Sequence, residues 1–259
     1  MPGGNDRFTV ALDDGRRVFV KAASSPYLAA ALRREAEVYE HLPGEFMAEL
    51  IAFEDDPVLP LIVLEDLSDA DWSVRWDSAR VAAVRSTLNE VAASPAPPNT
   101  PPVRDMLSGF ELWSAVEADP ASFLSSGIRP PDWLYRNVAT LRAAAAAAPI
   151  EGDDLLHLDV RSDNMCFRNG RAILVDWNWC CIGRADFDVA AWLPSLALEG
   201  GPKPWDVLPG SGGLAALLAG VWAAVVGLPP PPTAPTVRQG QARQLTVALA
   251  WCEHELGLE

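Results

Sequence analysis

The densest polar cluster in the chain is His157-Leu158-Asp159-Val160-Arg161-Ser162-Asp163-Asn164, and twelve residues after its Asn comes Asp176, at the end of a short apolar run. A carboxylate at Asp159 can take the proton of a substrate hydroxyl, while Asn164 and Asp176 are oxygen donors suited to Mg2+ set against nucleotide phosphates. That spacing fits phosphoryl transfer; the plainer alternative is a pair of acidic turns flanking a hairpin. Far upstream, Lys21 closes the run Val18-Phe19-Val20, and Glu35 follows fourteen residues later within Arg33-Arg34-Glu35-Ala36-Glu37. A strand lysine facing a helix glutamate forms an ion pair that can hold the α- and β-phosphates of a nucleotide. The alternative is a solvated strand end at Lys21 and an exposed helix acid at Glu35, and Glu37 and Glu40 are rivals for the pairing place. Of 20 basic residues only Lys21 and Lys203 are lysines, so a retained lysine can mark a need for a compact ammonium where arginine is otherwise the rule.

Elements able to position these groups are legible on either side of them. Phe8 to Leu12 and Val18 to Val20 flank Asp13-Asp14-Gly15 and predict a hairpin. Leu28, Leu32, Ala36, Tyr39 and Leu42 recur at helical spacing, which predicts a helix from Pro26 to Leu42. Leu50 to Phe53 and Pro60 to Leu64 read as a second strand pair. Beyond Leu67 the pattern turns helical at Ser78 to Ala93 and Trp133 to Ala148, with five prolines between Pro95 and Pro102 in an extended surface loop. Met165 to Phe167 and Ala172 to Val175 surround Asn169-Gly170 and predict a further hairpin. Helices are expected at Asp188 to Leu198, Leu214 to Gly227 and Val237 to Leu256, the last two separated by Pro229 to Pro232.

Composition narrows the partners. The 259 residues carry 20 Lys plus Arg against 35 Asp plus Glu, a net charge of −15 with no basic run, which argues against nucleic acid and membrane surfaces. Leu214 to Leu228, the longest apolar run, is interrupted by Gly220 and Gly227 and reads as a buried helix and not a membrane span. Met1 to Arg7 lacks the basic and apolar regions of a signal peptide, so a cytoplasmic protein is expected. Cys166, Cys180, Cys181 and Cys252 show no CxxC spacing and are expected as reduced, mostly buried thiols.

Taken in order, Val18-Phe-Val-Lys21, Arg34-Glu-Ala-Glu-Val-Tyr-Glu-His-Leu42, Val63-Leu-Glu-Asp-Leu67, His157-Leu-Asp159 through Asn164, Val175-Asp176 and Asp188-Val-Ala-Ala-Trp192 resemble the aminoglycoside phosphotransferase and choline kinase-like family. The resemblance runs from about residue 8 to the C-terminus. It implies an α+β, bilobal protein kinase-like fold, with a β-rich nucleotide-binding lobe and hinge over residues 1–68 and a helical lobe with catalytic loop and acceptor site over residues 69–259. It implies ATP and Mg2+ as cofactors, Asp159 as catalytic base, Asn164 and Asp176 as metal ligands, Lys21 and its partner Glu35 on the phosphates, and the Glu65 to Leu67 backbone on the adenine edge. Asp188 is expected to support the catalytic-loop backbone, and His157 to buttress that loop. Arg161, two positions after the base, either stabilises charge on the transferred phosphate or pairs with an acidic neighbour such as Asp163. Leu158 stands where members of the family commonly have glycine, and Gly3-Gly4-Asn5-Asp6 is a candidate phosphate-covering loop.

The expected activity is therefore transfer of the γ-phosphate of ATP to a hydroxyl of a small molecule, aminoglycoside-like, an amino alcohol or a sugar. The alternatives are a nucleotide-binding pseudokinase acting as an interaction module and a metal-dependent hydrolase built on His157 and Asp159. Acceptor contacts are sought in the helical lobe, with Trp177 and Trp179 able either to stack on a ligand or to fill the core. The acid charge does not single out that lobe: residues 1 to 68 carry six basic and thirteen acidic groups, residues 151 to 259 seven and thirteen.

Overall fold

A computed structural model describes residues 5–42, 44–110, 112–232 and 234–259. Gly3 and Gly4 of the candidate phosphate-covering loop lie outside them. In chain order the elements are β1 (Asp6–Ala11), β2 (Arg17–Ala22), α1 (Pro26–His41), β3 (Leu50–Glu54), β4 (Leu61–Glu65), α2 (Ser78–Ala92), α3 (Val103–Leu107), α4 (Leu112–Ala118), α5 (Ala121–Ser125), α6 (Pro131–Ala146), β5 (Asp154–Leu156), β6 (Met165–Arg168), β7 (Arg171–Leu174), β8 (Cys181–Gly183), α7 (Ala185–Leu198), α8 (Pro204–Val207), α9 (Gly212–Ala223) and α10 (Val237–Leu256). They form two compact units, residues 1–102 with 152–188, and residues 103–151 with 189–259. The fold class is the expected α+β one.

The first unit holds an antiparallel sheet of order β1-β2-β4-β3. Its opening turn follows from the Asp-Asp-Gly sequence: Gly15 takes φ +86°, open to glycine, while the Asp14 carboxylate accepts the Arg16 amide at 2.9 Å. Helix α1 starts at the Ser25 hydroxyl, which accepts the Leu28 amide at 3.3 Å, with Pro26 in the first turn. Its buried stripe, Leu32, Ala36 and Tyr39, is the one the periodicity marks. The segment leaving α1 then docks on the β6-β7 hairpin: Leu174 donates its amide to the Phe46 carbonyl at 2.8 Å, and Met47 bridges Leu174. The strands β5 and β8, three residues each, pair antiparallel around the polar cluster.

The second unit is helical. Helix α9 is the interrupted apolar run, buried along nearly all its length. The Trp113 indole of α4 donates to the Ala216 carbonyl at 2.7 Å, and a Cβ at Gly220 would come within 2.9 Å of that ring, so glycine permits this approach. Arg129 forks onto both oxygens of Glu253 at 2.8 and 2.9 Å, tying the α5-α6 connection to α10. Among the described residues no helix is long and apolar enough to cross a membrane.

Candidate active site

Lys21 lies on β2 and Glu35 on α1, and both side chains are buried. The Lys21 Nζ sits 2.5 Å from Glu35 Oε2 and 2.7 Å from Asp176 Oδ1. Glu35 therefore takes the pairing place, with Glu37 half-buried and Glu40 exposed on the same helix. Burial pushes the Glu35 carboxyl up, with Lys21 pulling against it. Burial acts on Asp176 too, but Lys21 and Arg7 outweigh it and hold that carboxyl below its ordinary value. Arg7, on β1, reaches Asp176 Oδ2 at 3.2 Å, so each oxygen of Asp176 faces a cation.

The polar cluster around Asp159 is held from behind by Asp188. One carboxylate accepts the His157 amide at 2.7 Å and the Leu158 amide at 2.6 Å. Burial raises that carboxyl to about 6, and the two amides pull it down. Leu158 bends between them through φ +62°, a left-handed conformation that glycine takes without strain and leucine does not. His157 is fully buried, its Nε2 3.1 Å from the Val175 carbonyl and its Nδ1 3.3 Å from the Asp159 amide. A carbonyl can only accept, so Nε2 carries the proton and Nδ1 receives the amide: the ring is neutral, and burial lowers it to about 4. With both nitrogens spent on backbone, His157 is neither a metal ligand nor a proton carrier, which removes the footing of the hydrolase alternative.

Asp159 and Asn164 are joined directly. The Asn164 Nδ2 donates to Asp159 Oδ2 at 2.8 Å and to the Asp159 carbonyl at 3.0 Å. Arg161 places Nε 3.1 Å from Asp159 Oδ1 and Nη2 3.3 Å from Asp163 Oδ2, the acidic pairing weighed from sequence. Burial raises the Asp159 carboxyl, and Asp176 adds to that against the pull of Arg161. Asp176 ends the hairpin with φ +68°, a left-handed turn that aspartate tolerates. A cavity of about 340 Å3 is lined by Lys21, Glu35, Glu65, Leu67, Asn164 and Asp176, inside the usual size range of small-ligand sites. Asp159 and Arg161 stand beside Asn164, outside that lining.

A model of the phosphotransferase enzyme family matches residues 2–228. The chain belongs to that family. No curated protein matches the sequence of this phosphotransferase. Among solved structures, a choline/ethanolamine kinase family protein from Mesorhizobium loti is 15% identical, with 99% of this chain and 92% of that one covered at a TM-score of 0.58. An aminoglycoside phosphotransferase from Streptomyces rimosus, solved with ADP and streptomycin, is 14% identical, with 96% and 93% covered at 0.49. An amicoumacin kinase solved with AMP-PNP and Ca2+ is 12% identical, with 95% and 86% covered at 0.48. The first of these likenesses shows a shared fold.

The donor set of the phosphotransferase suits a hard divalent cation. Asp176 supplies a carboxylate held below its ordinary value, and Asn164 carries an amide oxygen besides the nitrogen it gives to Asp159. Among the described residues no group of three or more His, Cys, Asp or Glu could hold a metal alone, so such an ion would complete its shell with phosphate and water. Arg7, Trp72 and Tyr39 are among the cavity residues that sequence reasoning missed. Arg7 sits directly across from Lys21 in the β1-β2 register, one residue before the expected strand. Trp72 donates its indole N–H to the Leu67 carbonyl at 2.8 Å, occupying one hydrogen-bonding group of the expected hinge. Tyr39 lines the cavity one turn beyond Glu35. Counting the hairpin register back through the Asp13-Asp14-Gly15 turn from Lys21 could have found Arg7; nothing in the sequence marks Trp72. Of the other candidates, Trp177 is fully buried against His157 and Phe46, at 4.5 and 5.9 Å between rings, and so fills the core, whereas Trp179 is exposed. The four cysteines are free and buried, with burial pushing Cys166 and Cys180 up to about 12.

Proposed function

We propose that this phosphotransferase moves the γ-phosphate of ATP to a hydroxyl of a small molecule, aminoglycoside-like, an amino alcohol or a sugar. The observation carrying this reading is the single chain of contacts Glu35–Lys21–Asp176 beside Asp159–Asn164, with Lys21, Asn164 and Asp176 on one cavity wall. Lys21, buried and fixed by Glu35, holds the phosphates by charge, and the backbone of Glu65 to Leu67 meets the adenine edge. With the Leu67 carbonyl taken by Trp72, the Leu67 amide is that residue's group for the base. Asn164 and Asp176 hold Mg2+, which when bound neutralises charge on the phosphates. Asp159 orients the acceptor hydroxyl and takes its proton, and burial raises its basicity for that task. Arg161 covers Asp159 Oδ1; acceptor entry displaces it toward the phosphate in transit, where its charge counters the developing negative charge.

The division of labour expected at residue 68, nucleotide before it and acceptor beyond it, belongs to this proposal, as does the cytoplasm, where ATP and Mg2+ are at hand. The test is an ATP-consumption screen with Mg2+ across aminoglycosides, amino alcohols, sugars and nucleosides, with the phosphorylated product identified by mass. Turnover on one acceptor class is expected; nucleotide binding without turnover on any of them would leave the pseudokinase in its place.

A further inference from the structure

Arg7 and Lys21 are direct partners across the β1-β2 ladder. Two cations opposite each other on adjacent strands repel unless an anion stands between them. That anion is Asp176, with Oδ1 2.7 Å from Lys21 and Oδ2 3.2 Å from Arg7. Together with Glu35 the cluster is balanced, two cations against two carboxylates. Balance depends on Asp176 staying with the cations, yet in the function proposed above that carboxylate is a metal ligand. A carboxylate drawn to a divalent ion shields Arg7 and Lys21 less, and the pair then calls for a new anion. The Arg7 side chain is free to supply the other half of such a contact: it is 56% exposed, lines the cavity with Lys21 and Asp176, and its planar fork matches the oxygens of a phosphate.

We propose that Arg7 is a second phosphate-binding cation, which exchanges Asp176 for the phosphate chain of a bound nucleotide and so works alongside Lys21. This rests on the nucleotide-binding reading of the cavity and adds to it a residue on β1 that selects for the polyphosphate part of the ligand. In charge terms Glu35 still offsets one of the two cations once Asp176 turns to the metal, and the one positive charge left over is met by the phosphate chain.

The test compares wild type, Arg7→Gln and Arg7→Lys by calorimetric titration with adenosine, AMP, ADP and a non-hydrolysable ATP analogue, with Mg2+, at low and high salt. Arg7→Gln is expected to weaken binding of the analogue about ten- to a hundredfold, the loss of one charge-assisted contact, while adenosine affinity is unchanged. Arg7→Lys should recover part of the loss, and the analogue's affinity should depend less on salt in Arg7→Gln than in wild type. An equal loss for adenosine and the analogue would reduce Arg7 to a clamp that holds β1, and no loss for either would remove it from the site; both overturn the proposal. Wild type that binds none of these ligands would overturn the nucleotide reading itself, a result separate from failure of Arg7 alone.

Discussion

Replacing His157 by glutamine turns the neutral, buried imidazole into a measurable pH dependence. Glutamine keeps an N–H that can reach the Val175 carbonyl but does not titrate. In the folded protein His157 is lowered from 6.5 to about 4 by burial. As pH falls, the unfolded chain therefore takes up a proton near 6.5 while the folded chain resists until about 4. The sign is thus fixed: stability from His157 is present in full above 6.5 and drains away between 6.5 and about 4. The full span of about 2.5 pH units corresponds to roughly 3 kcal/mol, and some 2 kcal/mol of it is gone at about pH 5. Asp188 works the other way, since its raised value lets the folded protein bind a proton first and gain as pH falls through about 6. Its contribution, and those of Glu35 and Asp159, are common to both proteins and cancel in the difference. Urea unfolding followed by tryptophan fluorescence, at about pH 7.5 and about pH 5, reads that difference. The variant, less stable than wild type at the higher pH for loss of the Asp159 amide contact, should close the gap by about 2 kcal/mol at the lower. A gap of the same size at both pH values would refute the neutral, buried histidine and with it the proton placement on Nε2.

Asp159→Asn should lower kcat by on the order of a hundredfold or more with Mg-nucleotide affinity in place, read by steady-state kinetics and direct titration; full turnover would dismiss the proposed base. Lys21→Ala strands Glu35 in the interior and should cost about 3–5 kcal/mol in urea unfolding, whereas Lys21→Met with Glu35→Leu should fold stably yet bind ATP at least about tenfold more weakly. Leu158→Gly should relieve roughly 1–2 kcal/mol of left-handed strain against about 0.5–1 kcal/mol of added chain entropy, leaving a small rise in Tm by calorimetry. A fall in Tm would show that the Leu158 side chain contributes more than its backbone costs.

Sequence legibility followed the range of the interactions. The β1-β2 hairpin, helix α1 and the β6-β7 hairpin were readable because local rules create them: an Asp-Asp-Gly turn, an apolar stripe behind a Ser-Pro cap, an Asn-Gly turn. The strands β5 and β8 were not readable, being three residues each and stabilised only by pairing 25 or more residues apart. Helices α3, α5 and α8, four or five residues long, are too short for periodicity to register. At the site, residue types and spacing pointed to Lys21, Asp159, Asn164 and Asp176, while the family resemblance chose Glu35 over Glu37 and Glu40. Trp72 gains its place from tertiary folding alone, and Tyr39, legible as a core position of α1, meets the cavity only through the docking of that helix. Whether Arg161 turns to Asp163 or to a phosphate was left open by sequence, and its contacts with Asp159 and Asp163 are a matter of packing.

The docking of Phe46 and Met47 on Leu174 bears on control. In protein kinases the lysine–glutamate pair is assembled or broken by swinging the helix that carries the glutamate. Here the far end of α1 runs into a segment hydrogen-bonded to β7, and two residues after Leu174 comes Asp176, the other partner of Lys21. The Trp177 ring against Phe46 fastens the same joint. A swing of α1 would have to tear this joint apart, so the helix behaves as a fixed bracket and not a lever. In the proposed transfer the Lys21–Glu35 pair would stand formed without a swing of α1.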